Sequence, residues 1–310
     1  MAQAAFADER LVALRQAIAR LEAQKSQSRF FSGKLASGEK AAGVRGEPHP
    51  ALLSLGVPSF DRLLGGGLPL AGLTEIRNGE TRDIGAATGF TAALAVLCQA
   101  ESKDRRHSVI FWIAERQATR EAGLPDGVGL QAYGLDTSRF LLGHPHRITD
   151  ALWMAEAALS SCRFAAVVLE IRSNPACFGL RESRRLHLRA QASRIPLLLL
   201  RQSGEEEASS ALLRLHVCPA PARARIFPEG QALPGSIGNP VFHVTAEKSR
   251  AIAPAGFLME WNSNDRRFYE CDAALAPVGP AYSLAELSAS VGRPRIEDEM
   301  GKVMAFNRAS

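Results

Sequence analysis

Thr88, Gly89, Phe90 and Thr91, in the stretch GAATGFTAALA, stand where a phosphate-binding loop would read S/T-G-K-T/S. The chemistry of such a loop is specific: backbone N–H groups curl around the phosphates, a lysine reaches the β and γ oxygens, and a hydroxyl holds Mg²⁺. Gly89 and Thr91 meet that requirement. Phe90 replaces the lysine, and the glycine spacing is broken because Gly85 falls one residue short of the first glycine and position 84 is Ile. A phenylalanine cannot neutralise phosphate and is predicted to join the core, so productive ATP hydrolysis is not expected. Arg77 and Arg82 stand close enough in sequence to touch an anion, whereas most loop arginines are simply solvated.

Ahead of this stretch, SFDRLLGGGLPLAGL leads into the apolar run LTEIRN. Gly65, Gly66 and Gly67 permit positive φ and close backbone approach; a surface turn with no ligand role would use them equally well.

The elements that must position these residues follow from apolar patterning. Strands are predicted at 73–78, 108–115, 140–145, 165–171 and 195–201, separated by helical patterns at 86–101, 116–123, 149–161 and 181–193. Continuous apolar strands interleaved with helices imply a mostly parallel sheet covered on both faces. The segments 212–219 and 241–249 alternate apolar and polar residues, and 256–270 reads as a hairpin with Asn262, Ser263, Asn264 and Asp265 in its turn. Antiparallel additions at one sheet edge are expected. Leu11, Leu14, Ile18 and Leu21 repeat at helical spacing, giving an amphipathic helix over 1–25 whose apolar stripe packs on its own domain or on another subunit. Residues 26–50 read as a linker, 51–276 as the core, and 277–310 as a loosely attached tail.

Bulk properties exclude several classes. The net charge of +5 permits contact with nucleic acid without demanding it. Five widely spaced cysteines, Cys98, Cys162, Cys177, Cys218 and Cys271, form no C-x-x-C pair and read as buried thiols of a reducing cytoplasm, with no metal site. The N-terminal stretch lacks the pattern of a signal peptide, and no run approaches the length of a membrane span. The expected location is cytoplasmic.

The order of elements from Leu53 to about Glu270 resembles the RecA-like P-loop core, an α/β fold with a mostly parallel, partly mixed twisted sheet flanked by helices. The combination of LGVPSFDRLLGGGLPLAGLTEI, the degenerate GAATGFTAALA, FWIAER, YGLDTSRFLL, AVVLEI, RRLHLRAQASRIPLLLLR and VTAEKSRAIAPAGFLMEW resembles the ImuA family. These are SOS-induced bacterial proteins related to RecA, also described as kin of the cell-division inhibitor SulA. The resemblance implies that Glu115 occupies the position of a water-activating carboxylate, Glu170 that of a Mg²⁺-holding Walker B acid, and Gln202 that of a γ-phosphate sensor. Without the lysine, these residues and the Gly85, Gly89, Phe90 and Thr91 region read as vestiges of a nucleotide site, or as ordinary strand-end polar residues.

The resemblance also implies partners: an ImuB-like Y-family protein, an error-prone DnaE-type polymerase and RecA, which together serve DNA repair by translesion synthesis. RecA-style DNA binding is not expected. The segments matching its two DNA-binding loops are compressed to 172–179 and 203–210, and Glu205, Glu206 and Glu207 would oppose a phosphate backbone. Arg181, Arg184, Arg185 and Arg189 instead share one helix face, either as a solvated surface or as a contact for DNA or an acidic partner. The leading expectation is a non-catalytic adaptor with no cofactor. The alternatives are an ATP-dependent DNA-binding recombination mediator, in which Lys248 or an arginine of a neighbouring copy replaces the missing lysine, and a SulA-like inhibitor.

Overall fold

The structure is a computed structural model. It describes residues 51–271 except 103–107, 226, 228, 232, 234–235 and 250–255. The expected N-terminal helix with Leu11, Leu14, Ile18 and Leu21, the linker 26–50 and the tail 277–310 lie outside the described residues.

Chain order gives β1 (Leu52–Leu53), α1 (Pro58–Leu63), β2 (Leu68–Pro69), β3 (Gly72–Arg77), a 3-10 turn (Thr81–Asp83) and α2 (Ile84–Glu101). Then come β4 (Val109–Ala114), α3 (Arg116–Ala122), α4 (Gly127–Ala132), a second 3-10 turn (Thr137–Arg139), β5 (Phe140–Gly143), α5 (Ile148–Ser161) and β6 (Phe164–Arg172). The remainder is α6 (Leu180–Ser193), β7 (Pro196–Gln202), β8 (Leu213–Ala220), β9 (Val241–Lys248), β10 (Gly256–Asn262) and β11 (Arg267–Glu270).

A nine-stranded sheet runs β11-β10-β9-β8-β3-β7-β6-β4-β5. Its pairings are parallel from β8 through β5 and antiparallel from β8 to β11, so the antiparallel strands extend one edge as expected. The short β1–β2 pair forms a separate antiparallel ribbon. Strand alternation separates two cores. Leu198 and Leu200 of β7 face a cluster with Ile76, Phe90, Trp112 and Val168, whereas Leu197 and Leu199 face Leu73, Val167, Leu169 and Leu186 on the side of α5 and α6.

α2 is apolar almost all round and rich in alanine, a composition that suits a helix buried against a sheet. With the preceding turn, Thr81–Glu101 is long and apolar enough to cross a membrane by length and composition, contrary to the sequence expectation. Here that apolarity is spent on both the sheet and the β9–β11 extension.

The glycine run does require its glycines. Gly65, Gly66 and Gly67 have φ of +78°, +121° and +133°, and a Cβ on Gly67 would collide with the Leu53 carbonyl. They turn the chain between α1 and β2, with Pro58 opening α1 where a proline is tolerated. The hairpin turn also forms as read: Asn262 Oδ1 accepts from the N–H groups of Asn264 and Asp265 at 3.0 and 3.3 Å. The cysteines depart from expectation. Cys98 is buried, but Cys162 and Cys177 are exposed, the first in the left-handed position that ends α5 and the second in the loop before α6.

Candidate functional site

Only residues 78–83 separate β3 from α2, and part of that short link is a 3-10 turn. A phosphate cradle needs successive backbone N–H groups lining a concavity, followed directly by the lysine and hydroxyl at the start of the helix. Here α2 begins at Ile84, so Gly85, Gly89, Phe90 and Thr91 all lie inside the helix. This corrects the reading of 85–91 as a degenerate loop: no loop exists at these positions.

Three of the four have a structural use. Phe90 is fully buried, its ring centroid 5.6 Å from that of Phe242 and 5.3 Å from that of Phe268. Thr91 is buried and its hydroxyl donates to the Ala87 carbonyl one turn back at 2.8 Å, so it is not presented to a metal. Gly89 admits the Tyr133 hydroxyl, which any Cβ there would strike. Gly85 faces open space and lines a pocket of about 380 Å³ along the flank of α2. The pocket's charged lining residues are Glu121, ion-paired with Arg172, and Asp126, and no lysine or arginine lines it, so polyphosphate finds no counter-charge there.

The strand-end residues form a sealed polar cluster on the α2 face of the sheet. Trp112 Nε1 donates to Glu170 Oε2 at 2.7 Å, and Gln202 Nε2 donates to Glu170 Oε1. Asn78 lies beside Gln202, its backbone N–H on the Arg201 carbonyl at 3.4 Å and its Nδ2 donating to the Glu80 carbonyl at 2.6 Å. Glu170 and Gln202 are each 1% exposed. The Glu115 N–H donates to the Glu170 carbonyl at 3.0 Å, but its side chain is the N-cap of α3, the carboxylate accepting from the Gln117 N–H at 2.9 Å. Glu170 and Gln202 are thus brought together, with both carboxylate oxygens occupied. The donor set does not fit a Mg–nucleotide: the hydroxyl, the carboxylate and the loop are all turned to other uses.

Burial pushes the Glu170 carboxyl up to about 7, outweighing the hydrogen bonds from Trp112 and Gln202, which lower it. A carboxyl raised in the folded state holds its proton more tightly there than in the unfolded chain. Its stabilisation is therefore complete below about pH 4.5 and is lost as pH rises through about 7, a difference of about 3 kcal/mol. Glu170→Gln is expected to raise stability by about that amount at pH 8 and to change it little at pH 4.5. An amide at 170 keeps its oxygen on Trp112 Nε1 and, with the Gln202 amide turned over, donates to Gln202 Oε1, which has no partner among the described residues. Urea unfolding at the two pH values checks this, and parallel pH profiles for the two proteins would refute it.

The opposite face carries a second network that the sequence reading missed. Glu75 of β3, 1% exposed, accepts from Arg201 Nε at 2.9 Å, Ser209 Oγ at 2.8 Å and Arg214 Nε at 3.2 Å. Beside it, Arg77 forms a two-pronged pair with Glu247 and donates to the Gly204 carbonyl at 2.9 Å. Arg77 is therefore not a free anion contact, and the exposed Arg82 leans on Glu80 at 2.9 Å. A signal was available: one charge interrupts each of the apolar runs LTEI, LLLLR and LLRLHV, which in buried strands demands a partner.

This network also changes the reading of 172–179 and 203–210. Glu206 pairs with Arg214 at 3.0 Å, and Glu207 accepts from Asn174 at 3.1 Å and lies 3.7 Å from Arg201. Asn174 further bridges to the Glu205 backbone, donating to its carbonyl at 3.2 Å and accepting from its N–H at 3.1 Å. Two of the three glutamates thus serve internal ion pairing, and the two segments are tied to each other. Lys248 donates to the Ser209 carbonyl at 3.0 Å, so it serves its own chain.

On α6, Arg185 pairs with Glu156 of α5 at 2.6 Å, and Arg189 reaches the same carboxylate at 3.8 Å and Ser160 Oγ at 2.7 Å. Arg181 and Arg184 are exposed. Among the described residues no group of three or more His, Cys, Asp or Glu side chains converges on a metal position.

Fold and site together define an α/β protein on a large, mostly parallel sheet flanked by helices, with its strand-end charges consumed internally. No protein-family model and no curated protein matches the chain.

Proposed function

We propose that the chain is a non-catalytic, RecA-like accessory protein of SOS-induced error-prone translesion DNA synthesis, acting by contact with an ImuB-like Y-family protein, a DnaE-type polymerase or RecA in the cytoplasm. The observation that carries the non-catalytic half is the β3–α2 junction, where the residues that would grip phosphate are inside a buried helix. The sheet order supports a RecA-like core, with β3 between β7 and β8 and helices on both faces. The choice of partners rests on the family resemblance of the sequence. Tying 203–210 to 172–179 argues against the use of these segments as independent DNA-gripping loops.

The test is affinity capture of the tagged full chain from DNA-damaged cells, read by mass spectrometry, with ATP binding measured on the same preparation. Recovery of a Y-family protein, a DnaE-type polymerase or RecA, together with no saturable ATP binding, is expected. ATP turnover abolished by Glu115→Gln would overturn the reading.

A further inference from the structure

We infer that the outer surface of α5 and α6 is a docking site for an acidic, amphipathic helix of a partner protein. This deepens the reading of the chain as a contact protein and rests on it, but its test uses neither nucleotide nor the native partners, so the two can fail separately.

The surface has an apolar feature with no use inside the fold. Trp153 of α5 is 69% exposed and Leu188 of α6 is 52% exposed. Tryptophan is rarely left so open, and exposed tryptophan beside arginine is the composition of interface centres. The two helices are held side by side by the pairs from Arg185 and Arg189 to Glu156, which lies one turn beyond Trp153. On α6, Arg181, Arg184, Arg185 and Leu188 follow i, i+3, i+4, i+7 spacing and share a face. The result is a strip with an indole at one side, a leucine at the other, and arginines between and along it.

Charge complementarity selects the occupant. Arg181 and Arg184 have no ion pair within the described structure, and a helix with carboxylates one turn apart would meet them while its apolar side covers Trp153 and Leu188. A nucleic acid fits less well, because a phosphate backbone offers no apolar side to cover Leu188 together with Trp153.

Trp153 reports on its own occupancy. The other tryptophans, Trp112 and Trp261, are 0% and 1% exposed, so acrylamide-quenchable emission comes from Trp153. The full chain is titrated with a synthetic helical peptide carrying leucines at i and i+4 flanked by glutamates, with an equally charged peptide whose leucines are serine, and with oligo-dT. Saturable protection of Trp153 by the leucine peptide alone is expected, with Arg181→Glu/Arg184→Glu weakening it at least about tenfold. These arginines are exposed, and circular dichroism checks that the variant is folded. Absence of protection overturns the proposal, as does equal protection by the serine peptide or by oligo-dT. A Trp153 already shielded in the full chain and freed by deleting 272–310 would assign the surface to the chain's own tail instead.

Discussion

Phe90→Lys, which restores the residue a phosphate loop would carry, is expected to unfold the protein rather than to confer nucleotide binding. Phe90 is fully buried in α2, packed on Phe242 and Phe268 of the antiparallel extension. Removing such a ring costs about 3–5 kcal/mol. An ammonium in its place adds an unpaired buried charge. The sum, about 5 kcal/mol or more, matches the whole stability of many domains. Loss of soluble expression, or collapse of the thermal transition, is the expected result, while Phe90→Leu should remain folded with a loss of about 1–2 kcal/mol. A folded Phe90→Lys protein retained on an ATP matrix would mean that this helix can reopen as a loop.

Glu75→Gln should be the most damaging isosteric change in the described core, at about 3–5 kcal/mol. Glu75 is the shared counter-ion of Arg201 and Arg214, which are 1% and 4% exposed. Neutralising it leaves two buried guanidinium groups with only the more exposed Glu206 and Glu207 for charge compensation. Because Ser209 also donates to Glu75, the loss should spread along 203–210. Chemical denaturation measures the first effect and backbone hydrogen exchange of 203–210 the second. A stability within about 0.5 kcal/mol of the parent, the range of an unremarkable surface change, would show that the network is not what holds this segment.

Much of this architecture was legible because it depends on local pattern. The runs that became β4, β6 and β7 are almost continuously apolar, which only a sheet covered on both faces can accommodate. Alternation marked β8 and β9, and Asn262 with Asp265 marked the hairpin that joins β10 to β11. The short α1 and α4 were not anticipated, since helices of one or two turns carry too few residues to display a period. The absence of a phosphate-gripping lysine from 85–91 was also readable, because Phe90 cannot neutralise phosphate wherever it lies.

The sequence by itself therefore determined the class of fold, the antiparallel extension and the loss of a phosphate-gripping lysine, all of which follow from residue type and spacing. Only the tertiary structure decided what the polar residues do. That Glu207 meets Asn174 and that Arg185 and Arg189 are held by Glu156 depends on partners far away in the chain. Apolar burial is non-directional and leaves a periodic trace in sequence, whereas a charge acquires its role from the group placed opposite it, and that placement is set by packing.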